Sequence, residues 1–250
     1  MTMQFWETND LFTTTQIAVS SGTIGIGYLM DRNPNTTFIT DGYGTNTSAV
    51  IIFSFTSAVV LDKIFLQNFN LKQFRIFYNS ATTNTFTPNI QYTTNSESSM
   101  AFSFATTTVS SITLQMDLAT TADTEKEVGE IYLGQLRFEL ERNPTAKAYK
   151  PAINRKQVIH TMPNGGISRF IVDEKFKGEL SWEYVTGSFY SNLQELFNEG
   201  SPFYFVPFPT TSSWDSQAYE VLWTNNFDFD FSSDNQNAGY GGKIVIEETA

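Results

Sequence analysis

Short stretches in which apolar and polar residues alternate recur along the first half of the chain. Residues 112–116 (Ile-Thr-Leu-Gln-Met) and 136–140 (Leu-Arg-Phe-Glu-Leu) show the pattern most clearly. Alternation with a period of two puts one face of a strand in a core and the other in water. Tracts rich in Thr, Ser and Asn separate these stretches and predict loops. The pattern predicts strands at residues 50–55, 63–67, 73–78, 100–104, 111–117 and 130–140.

The pattern breaks at Asn143-Pro144, because proline cannot donate to a strand ladder and disfavours helix in the residue before it. Residues up to Pro151 are predicted to form a short linker. Two apolar runs, at 157–162 and 167–173, then flank Asn164-Gly165, the strongest short signal for a β-hairpin. Further strands are predicted at residues 179–185, 219–223, 227–231 and 243–247, with an extended aromatic segment at 202–209.

One helix is predicted, over residues 188–199. Leu193, Leu196 and Phe197 recur at helical spacing, and Gly200 followed by Pro202 ends the pattern. The sequence therefore predicts an all-β protein of two different modules, residues 1–142 and residues 143–250, with the single short helix in the second.

Composition agrees with this fold class. The 250 residues include 23 Phe and 11 Tyr, while only 16% are charged, and aromatic side chains suit half-buried sheets. The absence of cysteine excludes disulfides, thiolate metal sites and cysteine nucleophiles. No stretch reaches the roughly 18 apolar residues of a membrane-spanning helix. The N-terminus shows no secretory signal pattern, so we expect synthesis in the cytoplasm.

Charge is unevenly distributed along the chain. The net charge of −11 argues against a nucleic-acid-binding surface. Seven basic residues nevertheless lie between Lys147 and Lys177, whereas from Gly178 onward Lys243 is the only basic residue against eleven acids. Two interpretations stay open: neighbouring strands pair opposite charges across a sheet, or neighbouring copies in a ring meet through complementary faces. The second makes assembly candidates of Lys147, Lys150, Arg155 and Lys156.

The segment Phe-Asp-Phe-Asp-Phe at residues 227–231 predicts a strand with three rings on one face and Asp228 and Asp230 on the other. A solvent-exposed strand face is the plain interpretation. If the module forms a ring, this acidic face would line a lumen through which DNA slides without adhering.

The first half resembles the discoidin, or galactose-binding-like, family over roughly residues 20 to 140. Four segments carry the likeness: an Asp-rich loop leading to Thr and Phe at 31–38, paired strands at 50–55 and 59–66, an asparagine turn before a strand at 69–78, and a closing strand at 128–133. The resemblance implies a jelly-roll β-sandwich that binds or packs and has no catalytic activity.

The second half resembles the β-barrel or sandwich modules of bacteriophage tail proteins, such as distal-tail and tail-tube subunits. The likeness rests on the order of a basic strand, the Asn-Gly hairpin, a strand carrying Trp182, one helix, an aromatic strand and a closing segment at 241–248. It implies a structural virion component, either a minor tail protein or a tail-tip or baseplate protein. Such a protein would form a three- or six-fold ring with itself, contact other tail proteins and reside in the virion tail.

The loop after residue 30 carries candidate metal ligands. Asp31, Asn33 and Asn35 place oxygen atoms at alternate positions, as at the start of a calcium loop, but the glycine and glutamate that complete an EF-hand are missing. Galactose-binding-like folds sometimes hold a structural Ca²⁺ in this region, so the resemblance makes Asp31, Asn33 and Asp41 metal candidates. The alternative is an Asx turn without metal. We expect no other cofactor.

A carbohydrate site would need exposed aromatic rings and a few directed polar groups in loops at one end of the sandwich. The aromatic candidates are Tyr43, Phe69 and Phe86, with Arg32 and Asn68 as polar partners. The alternative is that these residues fill the mouth of the sandwich or meet a neighbouring subunit. A host surface glycan is accordingly a candidate partner.

The sequence contains few residues in an arrangement that catalysis requires. His160 is the only histidine, so neither a catalytic triad nor a histidine metal site is predicted. Candidate carboxylate pairs, such as Glu179 with Glu183, alternate along strands, and a solvent face explains them. The glycines between residues 22 and 27 are too loosely spaced for a phosphate loop, and we expect flexible strand-edge structure there. We therefore expect a protein that is not an enzyme.

The leading hypothesis is a structural virion protein that assembles through its C-terminal module and carries a sandwich for attachment to neighbours or host. A carbohydrate-binding adhesion module is the first alternative. Accessory domains of a polysaccharide-degrading enzyme are the second.

Overall fold

Strands make up most of the computed structural model, which describes residues 2–10, 14–20, 25–31, 33, 36–41, 47–79, 83–122, 124–144, 148–162, 165–207, 218–234 and 237–249. Over these residues the chain forms two antiparallel sheets and one α-helix. A short 3-10 helix covers Ile26–Met30. The strands are β1 (Gln4–Trp6), β2 (Thr14–Val19), β3 (Phe38–Ile39), β4 (Ala49–Phe69), β5 (Leu71–Tyr78), β6 (Gln91–Tyr92), β7 (Met100–Ala119), β8 (Glu127–Gly134), β9 (Leu136–Glu139), β10 (Tyr149–Thr161), β11 (Ile167–Val185), β12 (Phe203–Val206), β13 (Tyr219–Trp223), β14 (Phe229–Asp234) and β15 (Asn237–Glu248), and the helix is α1 (Gly187–Glu199).

The chain divides into two compact units. The first contains Met3–Arg137 and Val206–Ala218, and the second contains Phe138–Phe205 and Tyr219–Ala250. The predicted fold class, all-β with a sandwich and one short helix, is confirmed. The predicted module boundary between residues 142 and 143 stays a prediction.

Two long strands build the sandwich of the first unit. The first part of β4 pairs with β2, as in Ile51 with Val19, whereas its last part pairs with β8, as in Ile64 with Leu133. β7 pairs with β4, and the last part of β7 also pairs with β5. The pairing of β4 with β7 shifts register between Ser54 and Val59, and such an irregularity bends a strand. Each long strand therefore contributes to both layers.

Buried apolar side chains from both layers meet in one core. Ile51 and Phe53 come from the first part of β4, and Ile64 and Leu66 come from its last part. Along residues 49–55 buried positions alternate with more exposed ones, which is the period expected of a half-buried strand. Burial of each such side chain contributes about 1.5–3 kcal/mol to folding.

The sequence pattern divided these strands too finely. Residues 50–55 and 63–67 belong to one strand, β4, and residues 100–104 and 111–117 belong to another, β7. The intervening residues, such as Thr56 and Ser57 in β4, are exposed. A bent strand carries polar side chains where it leaves the core, and in the sequence such residues are typical of loops.

The second unit is organised around β15. Its strands follow the order β10-β11-β15-β13-β12. β13 and β14 both pair with β15, but each pairs with a different part of that strand. Buried Phe176 and Leu180 on β11 share the interior of this unit with Ile244 and Ile246 on β15 and with Val221 on β13. β10 is the terminal strand of this order, which is where Pro151 is tolerated because it has no N–H to donate.

The predicted linker up to Pro151 is therefore wrong in part, since β10 begins at Tyr149. The hairpin predicted around Asn164-Gly165 is confirmed by the pairing of β10 with β11. Gly165 has φ +79°, and the N–H of Met162 donates to the carbonyl oxygen of Gly166 (2.7 Å).

Helix α1 begins one residue before its predicted start and ends at the predicted residue. Thr186 caps its N-terminus, where the hydroxyl accepts a hydrogen bond from the N–H of Phe189 (3.3 Å), and Gly200 ends it in the left-handed conformation (φ 60°). Phe189, Leu193 and Leu196 form its buried face. Within the described part of the chain, no helix combines the length and the apolar character that a membrane crossing requires.

Candidate functional site

The 3-10 helix presents an exposed aromatic ring on the first unit. Leu29 is fully buried and joins the sandwich core, whereas the preceding Tyr28 remains 42% exposed. The N–H of Tyr28 donates to the carbonyl oxygen of Gly25 (2.9 Å). Leu29 thus anchors the turn, and Tyr28 is held at the surface beside it.

Gly25 lets the Tyr28 ring pack closely over the backbone. Gly25 has φ +80°, and a Cβ there would lie 2.6 Å from Cδ2 of Tyr28 and 3.0 Å from the carbonyl oxygen of Thr37. No other residue type fits this conformation and this space without displacing the ring. One side of the ring is therefore supported by the protein, and the sequence-based expectation of flexible strand-edge structure at these glycines is wrong over residues 25–27.

A hydrogen-bonded turn lies immediately after this ring. Asp31 accepts hydrogen bonds from the N–H of Asn33 at Oδ1 (3.0 Å) and from the hydroxyl of Thr36 at Oδ2 (2.7 Å). The N–H of Thr36 also donates to the carbonyl oxygen of Asn33 (3.1 Å). Asp31 and Asn33 are exposed, so their side chains are accessible to solvent. We call Tyr28, Asp31, Asn33 and Thr36 the Tyr28 loop.

The Tyr28 loop combines features that recognition of a polar, ring-shaped ligand requires. A supported aromatic ring offers an apolar face at little entropic cost, and the Asp31 carboxylate oxygens, each of which accepts one bond within the turn, keep lone pairs that can accept hydrogen bonds from ligand hydroxyls. Because Asp31, Asn33 and Thr36 are already joined by hydrogen bonds, a ligand would not have to order these three residues.

A second polar cluster lies on β5 and β7, around Asp117. Asp117 Oδ1 accepts hydrogen bonds from the Ser48 hydroxyl (2.6 Å) and the Gln115 amide (2.8 Å), and Oδ2 accepts two from the Arg75 guanidinium (3.1 and 3.3 Å). Burial pushes the pKa of Asp117 upward, but the bonds from Ser48, Gln115 and Arg75 outweigh it and lower the pKa. Burial also lowers the pKa of Lys126, whose Nζ donates to the carbonyl oxygen of Thr47 (2.9 Å). Both carboxylate oxygens of Asp117 accept hydrogen bonds, which is typical of a network that stabilises the fold.

An acidic group is partly buried near the N-terminus of the first unit. Burial, followed by repulsion from Glu7, raises the pKa of Asp10 to about 6. The hydroxyl of the buried Tyr132 donates to the carbonyl oxygen of Glu7 (3.0 Å), and burial together with Asp10, Glu7 and Asp62 raises the pKa of that phenol. Titration of Asp10 therefore makes the stability of the fold depend on pH.

The structure corrects two of the predicted carbohydrate residues. Phe69 and Phe86 are 3% and 2% exposed and belong to the sandwich core, so neither offers a face to a ligand. They contact other rings, since Phe69 packs on Phe74 and Phe86 on Phe104. Asn68 is exposed at a positive φ of 51°. Arg32 and Tyr43 lie outside the described residues.

Two of the predicted calcium ligands, Asp31 and Asn33, form an Asx turn. Both carboxylate oxygens of Asp31 accept hydrogen bonds from within the turn, which is the alternative that the sequence left open. Asp41 is exposed. Across the described ranges, no group of three or more His, Cys, Asp or Glu side chains is placed to hold a metal ion. The calcium site stays a prediction.

Three of the predicted assembly residues, Lys150, Arg155 and Lys156, lie on the β10–β11 hairpin. Lys150 pairs with Glu179 (2.9 Å) and Arg155 with Glu174 (2.5 Å), so cross-strand charge pairs are present, and the bond from Lys150 contributes most to lowering the pKa of Glu179. Lys156 is exposed, and Lys147 lies outside the described residues.

The acidic strand and the single histidine are both at the surface. Asp228 and Asp230 are exposed, while the Phe227 and Phe229 rings stack with centroids 5.0 Å apart. His160 is exposed on β10, with its ring 5.9 Å from that of Phe170. Exposure of Asp228 and Asp230 does not test the lumen hypothesis, which stays a prediction.

Sequence reasoning missed Tyr28. A 3-10 helix of five residues has neither the strand period nor the helix period, so its exposed side is invisible to pattern analysis. The available signal was the tyrosine beside closely spaced glycines, just before the Asp-rich turn.

Comparison with known proteins returned solved structures only. No protein-family model matches the chain, and no curated protein matches it. Similar solved structures include chitosan-binding module 2 of a Paenibacillus sp. IK-5 chitosanase/glucanase in complex with chitotriose (18% identity, TM-score 0.41, covering 50% of this chain and 98% of that one). Another is a Clostridium perfringens carbohydrate-binding module in complex with GalNAc-β-1,3-galactose (11% identity, TM-score 0.39, covering 48% and 94%).

A third similar structure holds two modules of Clostridium perfringens ZmpB in complex with GalNAc (14% identity, TM-score 0.40, covering 52% of this chain and 36% of that one). Each of these three similar structures is that of a chitosan- or carbohydrate-binding module. The likeness of the second half to phage tail modules stays a prediction.

Proposed function

We propose that this protein is a non-catalytic carbohydrate-binding protein that acts in attachment, and that its first unit binds sugar at the Tyr28 loop. The observation that carries the proposal is the exposed Tyr28 ring, supported from behind by Gly25 and followed at once by the Asp31–Thr36 turn. A pyranose has an apolar face and a rim of hydroxyls, and the loop offers a partner for each.

The chemistry of the loop favours binding over reaction. Asp31 is committed to two hydrogen bonds inside the turn. A glycosidase needs two carboxylates on opposite sides of the scissile bond, one of them with a raised pKa. The sequence resemblance to galactose-binding-like proteins, which implies a binding or packing module, supports the same choice.

A glycan array tests the proposal directly. The full chain should bind a subset of immobilised oligosaccharides, and Tyr28→Ala should lose that binding while Tyr28→Phe retains most of it, because the ring is kept. Phe231→Ala is the matched control, since it removes an exposed ring from the other unit. Absence of binding to any glycan, or equal binding by wild type and Tyr28→Ala, would overturn the assignment.

A role in assembly, as the sequence-based hypothesis of a virion tail protein requires, is the second candidate. One observation favours it: the β10–β11 hairpin exposes large apolar side chains on both strands, Ile171 and Phe170 among them. A mass measurement on the full chain tests this role. Defined multimers would support it, and a monomer up to about 100 µM, where even weak specific complexes form, would contradict it.

A further inference from the structure

Part of the β10–β11 hairpin extends beyond the strand that flanks β11. β15 pairs with β11 only from Lys177 onward among the described residues, so earlier β11 residues pair with β10 alone. Lys177 lies opposite Ala152 in this hairpin, and we call residues 152–173 the arm. The arm carries large apolar side chains with exposures from 43% at Val158 to 73% at Ile167, and they are Ile153, Val158, Ile159, Met162, Ile167, Phe170, Ile171 and Val172.

The outer edge of β10 is available to a further strand. β10 is the terminal strand of its sheet within the described chain, and every one of its residues after Tyr149 is exposed. Its 13 residues exceed the roughly 5–6 of a usual strand. Backbone N–H and C=O groups point outward along such an edge, so a long exposed edge is a template for pairing with a strand of another chain.

The exposed apolar side chains of β10 lie on both faces of the arm. Successive residues of a strand point to opposite faces, so Ile153 and Ile159 lie on one face and Val158 on the other. A partner that packs on one face would leave the other face in water. A strand that pairs with the edge of β10 gives cross-strand neighbours to side chains on both faces at once. The arrangement therefore favours pairing at the edge over packing on a face.

The charges of β10 are confined to the half that precedes Gln157. Lys150, Arg155 and Lys156 lie there, whereas residues 157–162 contain no Lys, Arg, Asp or Glu. A second β10 in parallel register would place each cation beside its own copy. An antiparallel β10 places the two sets of cations at opposite ends of the joined strands, and Arg155 is already paired with Glu174 (2.5 Å). The edge of β10 is therefore compatible with a second copy of itself in the antiparallel direction.

Full overlap of two arms defines the register of this pairing. Residues 152–162 of both copies overlap completely when Gln157 lies on the two-fold axis. The opposed residues are then Ala152 with Met162, Ile153 with Thr161, Asn154 with His160, Arg155 with Ile159 and Lys156 with Val158. No two like charges are opposed, and the alkyl stems of Arg155 and Lys156 lie beside apolar side chains that are otherwise exposed.

The size of this contact indicates a weak, reversible dimer. Eleven residues at about 3.4 Å each along a sheet edge about 10 Å thick bury roughly 370 Å² per copy. The total of about 740 Å² lies below the standard size of a stable protein interface. Backbone hydrogen bonds along the joined edge supply the affinity, as they do wherever an extended segment adds to a sheet.

We propose that two copies of this chain pair through the outer edges of their β10 strands, antiparallel and with Gln157 on the two-fold axis. The two arms then form one four-stranded sheet. The same edge meets itself, so the contact closes as a dimer. The inference rests on the assembly role proposed above and identifies its interface.

Cysteine crosslinking tests the register, because the natural chain has no cysteine. Gln157→Cys should give a disulfide-linked dimer of the full chain under mild oxidation, since the axis places this residue opposite its own copy. Mixed Lys156→Cys and Val158→Cys chains should crosslink more than either variant does by itself. Phe170→Cys is the control: it is 58% exposed, but two β11 strands would lie about 14 Å apart, beyond the reach of a disulfide.

A charge placed at Val158 tests the same contact without oxidation. Val158→Lys opposes Lys156 of the second copy and should weaken self-association at least tenfold in analytical ultracentrifugation. Val158→Glu, the matched variant, opposes the same lysine and should keep the affinity of wild type or increase it. A monomeric wild type would overturn both the interface and the assembly role. Multimers that Val158→Lys and Val158→Glu affect equally, or crosslinking of Phe170→Cys as strong as that of Gln157→Cys, would overturn the interface alone.

Discussion

At the residue scale, Asp117 shows how one charged side chain holds several neighbouring polar side chains through hydrogen bonds. Its two oxygens accept bonds from three side chains, on β5, β7 and the segment before β4, and only 10% of the side chain is exposed. The lowered pKa means that this contribution to stability is full above the unfolded pKa and is lost as the pH falls toward the folded one.

Asp117→Ala should destabilise the protein by about 2–3 kcal/mol, because charged hydrogen bonds are lost and Arg75 is left half-buried beside a gap. Urea unfolding at pH 7 measures this. Asp117→Asn keeps the shape and should cost less. A loss for the alanine variant within about 0.5 kcal/mol of zero, as for an ordinary surface change, would show that the network does not stabilise the fold.

Asp10 changes the stability of the fold with pH in the opposite direction to Asp117. Its pKa of about 6 lies above the ordinary value of 3.8, so the folded state binds a proton while the unfolded chain is still ionised. The resulting cost to stability is full above pH 6 and disappears as the pH falls toward 4. The group is about half-exposed, so solvent screening keeps the effect small.

Asp10→Asn should therefore raise the unfolding temperature at pH 7.5 and leave it unchanged near pH 4. Thermal unfolding of both proteins across this pH range provides the comparison. Glu195→Gln, which removes an exposed acid on α1, serves as the control. A variant that is no more stable at pH 7.5 than wild type would contradict the assigned pKa.

At the element scale, α1 depends on its N-terminal cap. Thr186 accepts a hydrogen bond from Phe189, while its N–H and hydroxyl donate to Oε2 of Glu141 (3.0 and 2.7 Å). The cap therefore satisfies a free N–H of the first turn and ties the helix to the segment after β9. The ring of Phe189 packs edge-on against Phe138 in the same unit (5.8 Å).

Thr186→Ala should lower the free energy of unfolding by about 1–2 kcal/mol, the upper range for loss of a cap residue. Thr186→Ser keeps the hydroxyl and should recover most of the loss. Chemical unfolding followed by circular dichroism would measure both. Equal stability of the alanine and serine variants would exclude the hydroxyl as the stabilising group.

For the whole molecule, the sequence predicted the regular elements better than the surface. β13 has its predicted bounds and α1 differs by one residue, because their hydrophobic periods follow from local geometry. The exposure of a ring depends on how distant strands pack, so Phe69 and Phe86 were assigned to a site although they lie in the core. Tyr28 went unnoticed because its 3-10 helix has no such period.

The β10–β11 hairpin illustrates the same limit. Its strands and turn follow from sequence, yet the apolar runs at 157–162 and 167–173 would ordinarily indicate buried strands. Only the pairing of β15, which starts at Lys177, shows that residues 152–173 lack a covering layer within the described chain.

The measurement that tests the central claim most directly is isothermal titration of the full chain with an oligosaccharide selected on the array. We predict saturable binding by wild type, and a dissociation constant at least tenfold higher for Tyr28→Ala, about 1.4 kcal/mol, with Tyr28→Phe close to wild type. An identical dissociation constant for Tyr28→Ala, or no heat of binding for wild type, would contradict the account.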